Sequence, residues 1–346
     1  MKYTKIIWAI AFASLVLFLG LSPVYGGDPA RIGTAGGEQL LVPVGARDLA
    51  MGGSNVAYSS GLDAIYWNPA GLSEMKSTAA GVFSTMQIFN DIDVNYLALG
   101  LKAGKLGMIG ISIKSFDVGD IGITTNDDIE GASGATFSPT FVTGALTYSR
   151  RLTDVIQVGV TGKFVSESVP RASASAVAFD IGIQYHNLGG LDGISMGLVV
   201  KNIGTNLHYG GSAFLVQAVD ANGNRQEFRD RPTATAQLPA SVELGVGYQR
   251  NINEDNAIIF NGNFENNNFG HDNFKFGAEY AYSDLIALRG GYVVADGLDS
   301  DDQLYRFTLG VGLHYAISGT DFAFDYAFRD SQYFDGNNMF SLTIGF

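Results

Sequence analysis

Cysteine is absent from all 346 residues. That excludes a disulfide framework and the lipid-bearing cysteine of a lipoprotein anchor. Proline is scarce, at 8 residues, and few of these fall inside the extended segments assigned below, as strands that must donate every ladder hydrogen bond require. Basic residues are outnumbered, 21 Lys and Arg against 34 Asp and Glu. The resulting net charge of −13 and pI near 4.6 leave no basic face for nucleic acid. After residue 26 there is no long apolar run either. The longest uncharged stretch, Gly131 to Ser149, is rich in Gly, Ser and Thr, which excludes a helical membrane span.

The one apolar run, Ile6 to Leu21, follows Lys2 and Lys5 and precedes Ser22, Pro23 and the small-residue pattern Val24, Tyr25, Gly26. It is shorter than the roughly 20 residues a spanning helix needs. Residues 1–26 therefore read as a secretory signal peptide cut after Gly26. An exported, cysteine-free chain of short alternating segments points to the bacterial outer membrane, with outer-membrane lipid and lipopolysaccharide as its surroundings.

What the chain does have is glycine, 45 residues, with 23 Phe and 16 Tyr. Fourteen segments alternate large apolar side chains with small, polar or charged ones, from Thr78 to Ile88 through to Asn338 to Phe346. The others are Asp93–Leu101, Leu106–Phe116, Thr140–Leu152, Ile156–Val165, Ala176–His186, Ile194–Ile203, Leu238–Tyr248, Asn256–Glu265, Asn273–Tyr282, Leu285–Val294, Leu304–Tyr315 and Thr320–Phe328. In the last, Phe340, Leu342, Ile344 and Phe346 share one face and Ser341, Thr343 and Gly345 the other. Most segments have the length a tilted strand needs to cross a bilayer, and an even total suits a single-chain barrel. Connections alternate as well. Tight turns at Lys102–Lys105, Thr153–Asp154, Ser283–Asp284 and Ala316–Gly319 are interleaved with long ones at 118–139, 204–237, 295–303 and 329–337. Residues 78–346 thus predict an all-β, 14-stranded antiparallel transmembrane barrel.

Charges sort by face. Lys114, Lys163, Lys201, Lys275, Arg289 and Arg306 fall on the small-residue side, together with Asp180, Glu243, Glu279, Asp321 and Asp325. A charge at the lipid midplane costs about 2–4 kcal/mol, so all eleven are expected to face the lumen. The acidic surplus lies in the long loops, at Asp117, Asp120, Asp127, Asp128, Glu130, Asp296, Asp299, Asp301 and Asp302. These read as solvated loop residues, since no calcium-loop spacing is present.

Residues 27–77 do not alternate. A barrel of about 14 strands has an interior wider than wall side chains fill, so this segment is expected to fold into the lumen as a hatch or plug. Within it Asn68 suits a helix N-cap and Pro69 the first helical position. The run Gly45-Ala-Arg-Asp-Leu-Ala-Met-Gly-Gly53, followed by Tyr66-Trp-Asn-Pro-Ala-Gly-Leu72, resembles the N-terminal signature of the PorV/PorQ family, distant relatives of the FadL long-chain fatty-acid channels. Val200–Gly204, Leu238-Pro with Leu244–Tyr248, Gly277–Tyr280 and Leu288–Tyr292 are similar to further blocks of that family. The resemblance implies a FadL-like barrel in which Gly45, Arg47, Met51, Gly52, Asn68, Pro69, Ala70 and Gly71 belong to a structural or gating hatch motif. It also implies work in type IX secretion, with the secretion machinery and the C-terminal domains of exported cargo as partners. The alternative it carries is passive uptake of hydrophobic small molecules. A general porin ranks below both, because a hatch would block it.

Catalytic chemistry finds no support. His186, His208, His271 and His314 stand apart without a second ligand at metal spacing, and no nucleophile elbow occurs. Gly310-Val-Gly312 sits inside an alternating strand, where it reads as packing against the hatch rather than as a phosphate loop. Neither an enzyme, nor a metal site, nor a cofactor is expected. In the hatch, Leu40, Leu41, Val42, Leu49 and Met51 are the candidates to line an apolar pocket.

Overall fold

A sheet whose strands alternate apolar and polar residues has two faces to satisfy and two open edges, and closure removes the edges. In the computed structural model, residues 31–89, 91–219 and 226–346 are described, and they form a closed barrel of fourteen antiparallel strands. In chain order these are β1 (Ala79–Ile88), β2 (Ile92–Lys102), β3 (Met108–Asp117), β4 (Thr140–Arg151), β5 (Ile156–Val169), β6 (Ala172–Tyr185) and β7 (Ile194–Gly204), then β8 (Ser241–Asn251), β9 (Asn256–Asn267), β10 (Asn273–Tyr282), β11 (Ile286–Ala295), β12 (Phe307–Ile317), β13 (Thr320–Arg329) and β14 (Asn337–Gly345). Each strand pairs with its sequence neighbours. The ring closes where β1 meets β14, from Ala80 opposite Gly345 to Met86 opposite Met339. The expected signal peptide lies outside the described residues.

The strand count matches the sequence expectation, but the alternation of short and long connections is incomplete, since residues 89–91 and 170–171 join β1–β2 and β5–β6 tightly at the long-loop end. Several strand bounds also shift, with β8 at Ser241–Asn251 in place of Leu238–Tyr248. The β5–β6 hairpin is longer than predicted. It runs to Val169 and back from Ala172, because residues 166–175 alternate small and polar groups that suit a ladder standing above the membrane. Conversely β12 begins at Phe307, not Leu304. Two of the long connections carry small two-stranded ladders: Ile121–Gly122 with Thr136–Phe137 between β3 and β4, and both Leu207–His208 with Thr235–Ala236 and Leu215–Val219 with Gln226–Asp230 between β7 and β8.

Apolar side chains cover the outside. Along one row Leu99, Ile111 and Leu146 stand outward on β2, β3 and β4, and Phe179 follows on β6 across Gly162 of β5, with Leu146 59% and Ile111 51% exposed. A water-soluble barrel would reverse this arrangement. Among the described residues no helix is long and apolar enough to cross a membrane. Because Leu146 lies mid-strand in this belt, Leu146→Lys is expected to lower unfolding stability in a lipid bilayer by about 2–4 kcal/mol. Denaturant titration of refolded barrel checks this; an unchanged midpoint would place that face away from lipid.

Candidate functional site

The segment from residue 31 to 78 fills the barrel. It contains short helical turns at Glu38–Leu40, Ala46–Ala50, Asn55–Ala57, Ala64–Trp67 and Pro69–Glu74. None is long enough to be stable alone, so the wall must supply their hydrogen bonds. It does so with inward polar side chains. Ser341 Oγ accepts from the Ala46 N–H at 2.9 Å, and Thr308 Oγ1 donates to the Ala50 carbonyl at 2.8 Å. Gln184 Nε2 donates to the carbonyls of Val56 and Ser59 at 3.1 and 2.9 Å, and Ser149 Oγ to that of Ala70 at 2.8 Å.

Where the hatch touches the wall most closely, the wall has glycine. A Cβ on Gly159 would fall 2.3 Å from the Pro69 carbonyl carbon, and one on Gly182 would fall 2.0 Å from Asn68 Oδ1. Gly291 meets the Gly52 nitrogen in the same way at 2.2 Å. No other residue type fits at such separations. Gly310, which the sequence suggested for hatch packing, lies against Ala50.

The hatch motif residues all lie inside the barrel. Asn68 caps the Pro69–Glu74 turn by accepting from the Ala70 N–H at 3.2 Å. It also donates to Val56 O within the hatch at 2.9 Å and to Ile183 O of the wall at 3.3 Å. Met51, Ala70 and Gly71 are buried, while Gly45 and Gly52 take left-handed or related backbone angles with φ of 83° and 67°. Arg47 reaches Glu279 of β10 through two contacts of 3.2 Å. Glu279 also holds Arg289 at 2.5 Å, and Arg289 holds Asp325 at 2.6 Å.

Nine of the eleven predicted lumen charges are buried on the inner face. Above the Arg47 network a second one joins Lys163 to Asp180 at 2.5 Å, Lys201 to Glu243 at 2.7 Å and Lys275 to Glu243 and Glu265 at 3.3 and 3.0 Å, while Lys114 donates to the Val42 carbonyl at 2.8 Å. Arg306 and Asp321 require correction. Arg306 precedes β12 in a loop, where it donates to Gln332 at 2.9 Å. Asp321 has inward parity but sits at the strand end and is exposed to solvent. Alternation reports a side, not a depth, and both residues lie at the rims.

Three features had no clear signal in the sequence. Asp180 sits at a bulge between β6 and β7, where Asn202, with φ of 59°, donates its N–H to Asp180 Oδ1 at 2.8 Å. Asp48 is fully buried, accepting from Asn55 at 2.7 Å and Ser59 at 2.5 Å. Asp63, nearby, is half-buried, with its Oδ1 enclosed and unpaired within the protein.

Between the hatch and the connections opposite Phe346 lies a cavity of about 380 Å³. Leu40, Leu41 and Leu49 floor it with Tyr66 and Trp67; Phe269, Leu298 and Leu304 come from the loops. Lys163, Lys201, Lys275 and Arg329 line its sides. Of the five predicted pocket residues, Val42 and Met51 do not reach it; Met51 is turned into the wall near Asn261.

No family model matches the chain, and no curated protein does. Solved structures do. The Ralstonia pickettii toluene transporter TbuX is 14% identical with a TM-score of 0.53, the match covering 87% of this chain and 97% of that one. The Pseudomonas putida toluene transporter TodX is 13% identical over the same shares, also at 0.53. The CymD monoaromatic hydrocarbon channel is 14% identical, with 88% and 97% covered and a TM-score of 0.50. The fold, a closed antiparallel barrel, is shared with these proteins. At this identity the likeness speaks for architecture alone, and it agrees with the FadL-like barrel that the sequence resemblance implied.

Burial pushes the Asp63 carboxyl up to about 8, with the nearby Asp48 and Asp325 carboxylates adding to the rise and Arg47 and Arg289 opposing it. Asp48 is raised too, again chiefly by burial. A carboxyl that holds its proton more tightly when folded stabilises the fold below its ordinary value of 3.8, and that stability is lost as pH climbs toward about 8. Trp67 is the single tryptophan after residue 26 and reports on the hatch directly. Denaturant resistance of the Trp67 signal should therefore fall from pH 5 to about pH 8 in the wild type. Asp63→Asn should flatten that slope, leaving the smaller part due to Asp48; an identical slope in the variant would contradict this account.

Proposed function

We propose that this protein is a non-enzymatic outer-membrane channel that admits small apolar molecules by passive diffusion. The observation that carries the reading is the cavity of about 380 Å³, open toward the loop end of the barrel and floored by hatch leucines and aromatics. That volume lies in the range of small-molecule sites, and a mostly apolar floor favours a ligand that leaves water. The seated hatch argues against a general porin, so passage needs a shift of the hatch or of the wall beside it. The fold shared with the hydrocarbon channels and toluene transporters supports this reading by analogy of architecture.

Cells carrying the barrel in their outer membrane should take up a labelled monoaromatic hydrocarbon faster than cells with empty vector. Leu49→Trp, which fills the cavity floor, should return the rate toward the control. Equal uptake with and without the barrel would remove the proposal.

A second reading is membership in the PorV/PorQ family with an accessory role in type IX secretion, engaging cargo C-terminal domains. It is favoured by the Gly45–Gly53 and Tyr66–Leu72 signatures and by the long connection between β7 and β8, whose ladder exposes Val219 and Phe228. Gene deletion that leaves secretion of such cargo unchanged would exclude it.

A further inference from the structure

Behind Tyr66 a second, smaller cavity of about 30 Å³ separates the hatch from the inner wall of β2–β5. Tyr96, Ser112, Lys114, Thr143 and Lys163 line it, and Leu40, Tyr66 and Lys163 border both cavities, so the two lie side by side. It has room for one or two particles of water size and not for an organic ligand.

The side chain that matters is Lys114, which is 4% exposed. Its ammonium donates to Val42 O and stands 5.0 Å from the Tyr66 ring centroid. Among the described residues it forms no ion pair. Its neighbours in the wall network are Lys163, Lys201 and Lys275 against Asp180, Glu243 and Glu265, and each of those lysines contacts a carboxylate. With Lys114 added, four ammonium groups face three carboxylates. The charges acting most strongly on Lys114 are the like charges of Lys163 and Lys201 and the opposite one of Asp180. A buried ammonium short of a counter-charge is costly, and it either loses its proton or recruits an anion.

The lining favours the anion. The Thr143 and Tyr96 hydroxyls are both buried, and neither makes a hydrogen bond within the protein. Both hydroxyls can donate, as can the two ammonium hydrogens of Lys114 that do not serve Val42. A cluster of donors around one surplus positive charge, in a space of this size, fits a small monovalent anion. We infer that the inner cavity is a binding site for a halide-sized anion, held by Lys114 with Thr143 and Tyr96, that completes the charge balance between hatch and wall.

The test uses the mature barrel purified in detergent and crystallised with bromide as the probe. An anomalous bromide peak within hydrogen-bond distance of Lys114 Nζ and Thr143 Oγ1 is expected, absent in Lys114→Met. In solution the Trp67 unfolding transition should rise when chloride or bromide replaces gluconate at equal ionic strength, and Lys114→Met should abolish the rise. Should that variant fail to fold, Thr143→Val keeps the charge and should weaken the halide response several-fold. A cavity that refines as water alone in bromide crystals, with a transition indifferent to halide, would overturn the inference and assign a neutral amine to Lys114. A response to octanoate but not to bromide would overturn it as well, since the anionic group would then belong to a ligand of the large cavity.

Discussion

The seating of the hatch depends on how near two backbones can come. Residues 31–78 have little regular structure of their own, and the wall approaches them at distances that a single added carbon would forbid. Gly159 and Gly182 lie against Asn68 and Pro69, Gly197 against Val56, and Gly277 and Gly291 against Met51 and Gly52. Because the backbones are this close, short inward side chains such as Ser341, Thr308 and Ser149 reach hatch N–H and C=O groups directly. The buried polar groups of an irregular segment are thereby satisfied inside a barrel that offers no regular partner for them.

Electrostatics is then divided by depth. Around Arg47 and Arg289 the acids dominate, with Glu279 and Asp325 from the wall and Asp48 and Asp63 from the hatch. Around the cavity the bases dominate, where Lys114 and Arg329 stand without a carboxylate contact among the described residues. Removing a partner from a buried pair leaves an uncompensated charge, so these networks fix which part of the hatch faces which strand more than they add net stability. The same lysines that neutralise the wall also form the flank of the cavity, so the charge pattern and the ligand space are one construction.

Much of this was legible because a barrel writes its pattern locally. Alternation over ten residues fixes a face, and the order of short and long turns fixes which end is which; all fourteen strands follow from that. Asn68 and Pro69 announced the helical turn they begin. What the sequence hid is depth and partnership. Arg306 and Asp321 carry the right parity yet lie at the rims. Glu279 cannot be known to meet Arg47, 232 positions away, from any spacing. The inward glycines were visible as composition only, since a glycine on the lumen face looks the same whether it meets water or a hatch. The bulge at Asp180 and Asn202 breaks the very periodicity that sequence reading relies on.

That the hatch sits in the lumen against the wall glycines can be tested by one cross-link. A Cβ on Gly245 would lie 3.1 Å from the Val56 Cβ, near the separation of about 3.5–4.5 Å found in disulfides, and the chain brings no cysteine of its own. Val56→Cys combined with Gly245→Cys, oxidised in intact outer membranes, is predicted to cross-link nearly completely and to protect both positions from maleimide. Two free thiols that label readily from the aqueous phase would contradict the seated hatch, and with it the account given of the cavity.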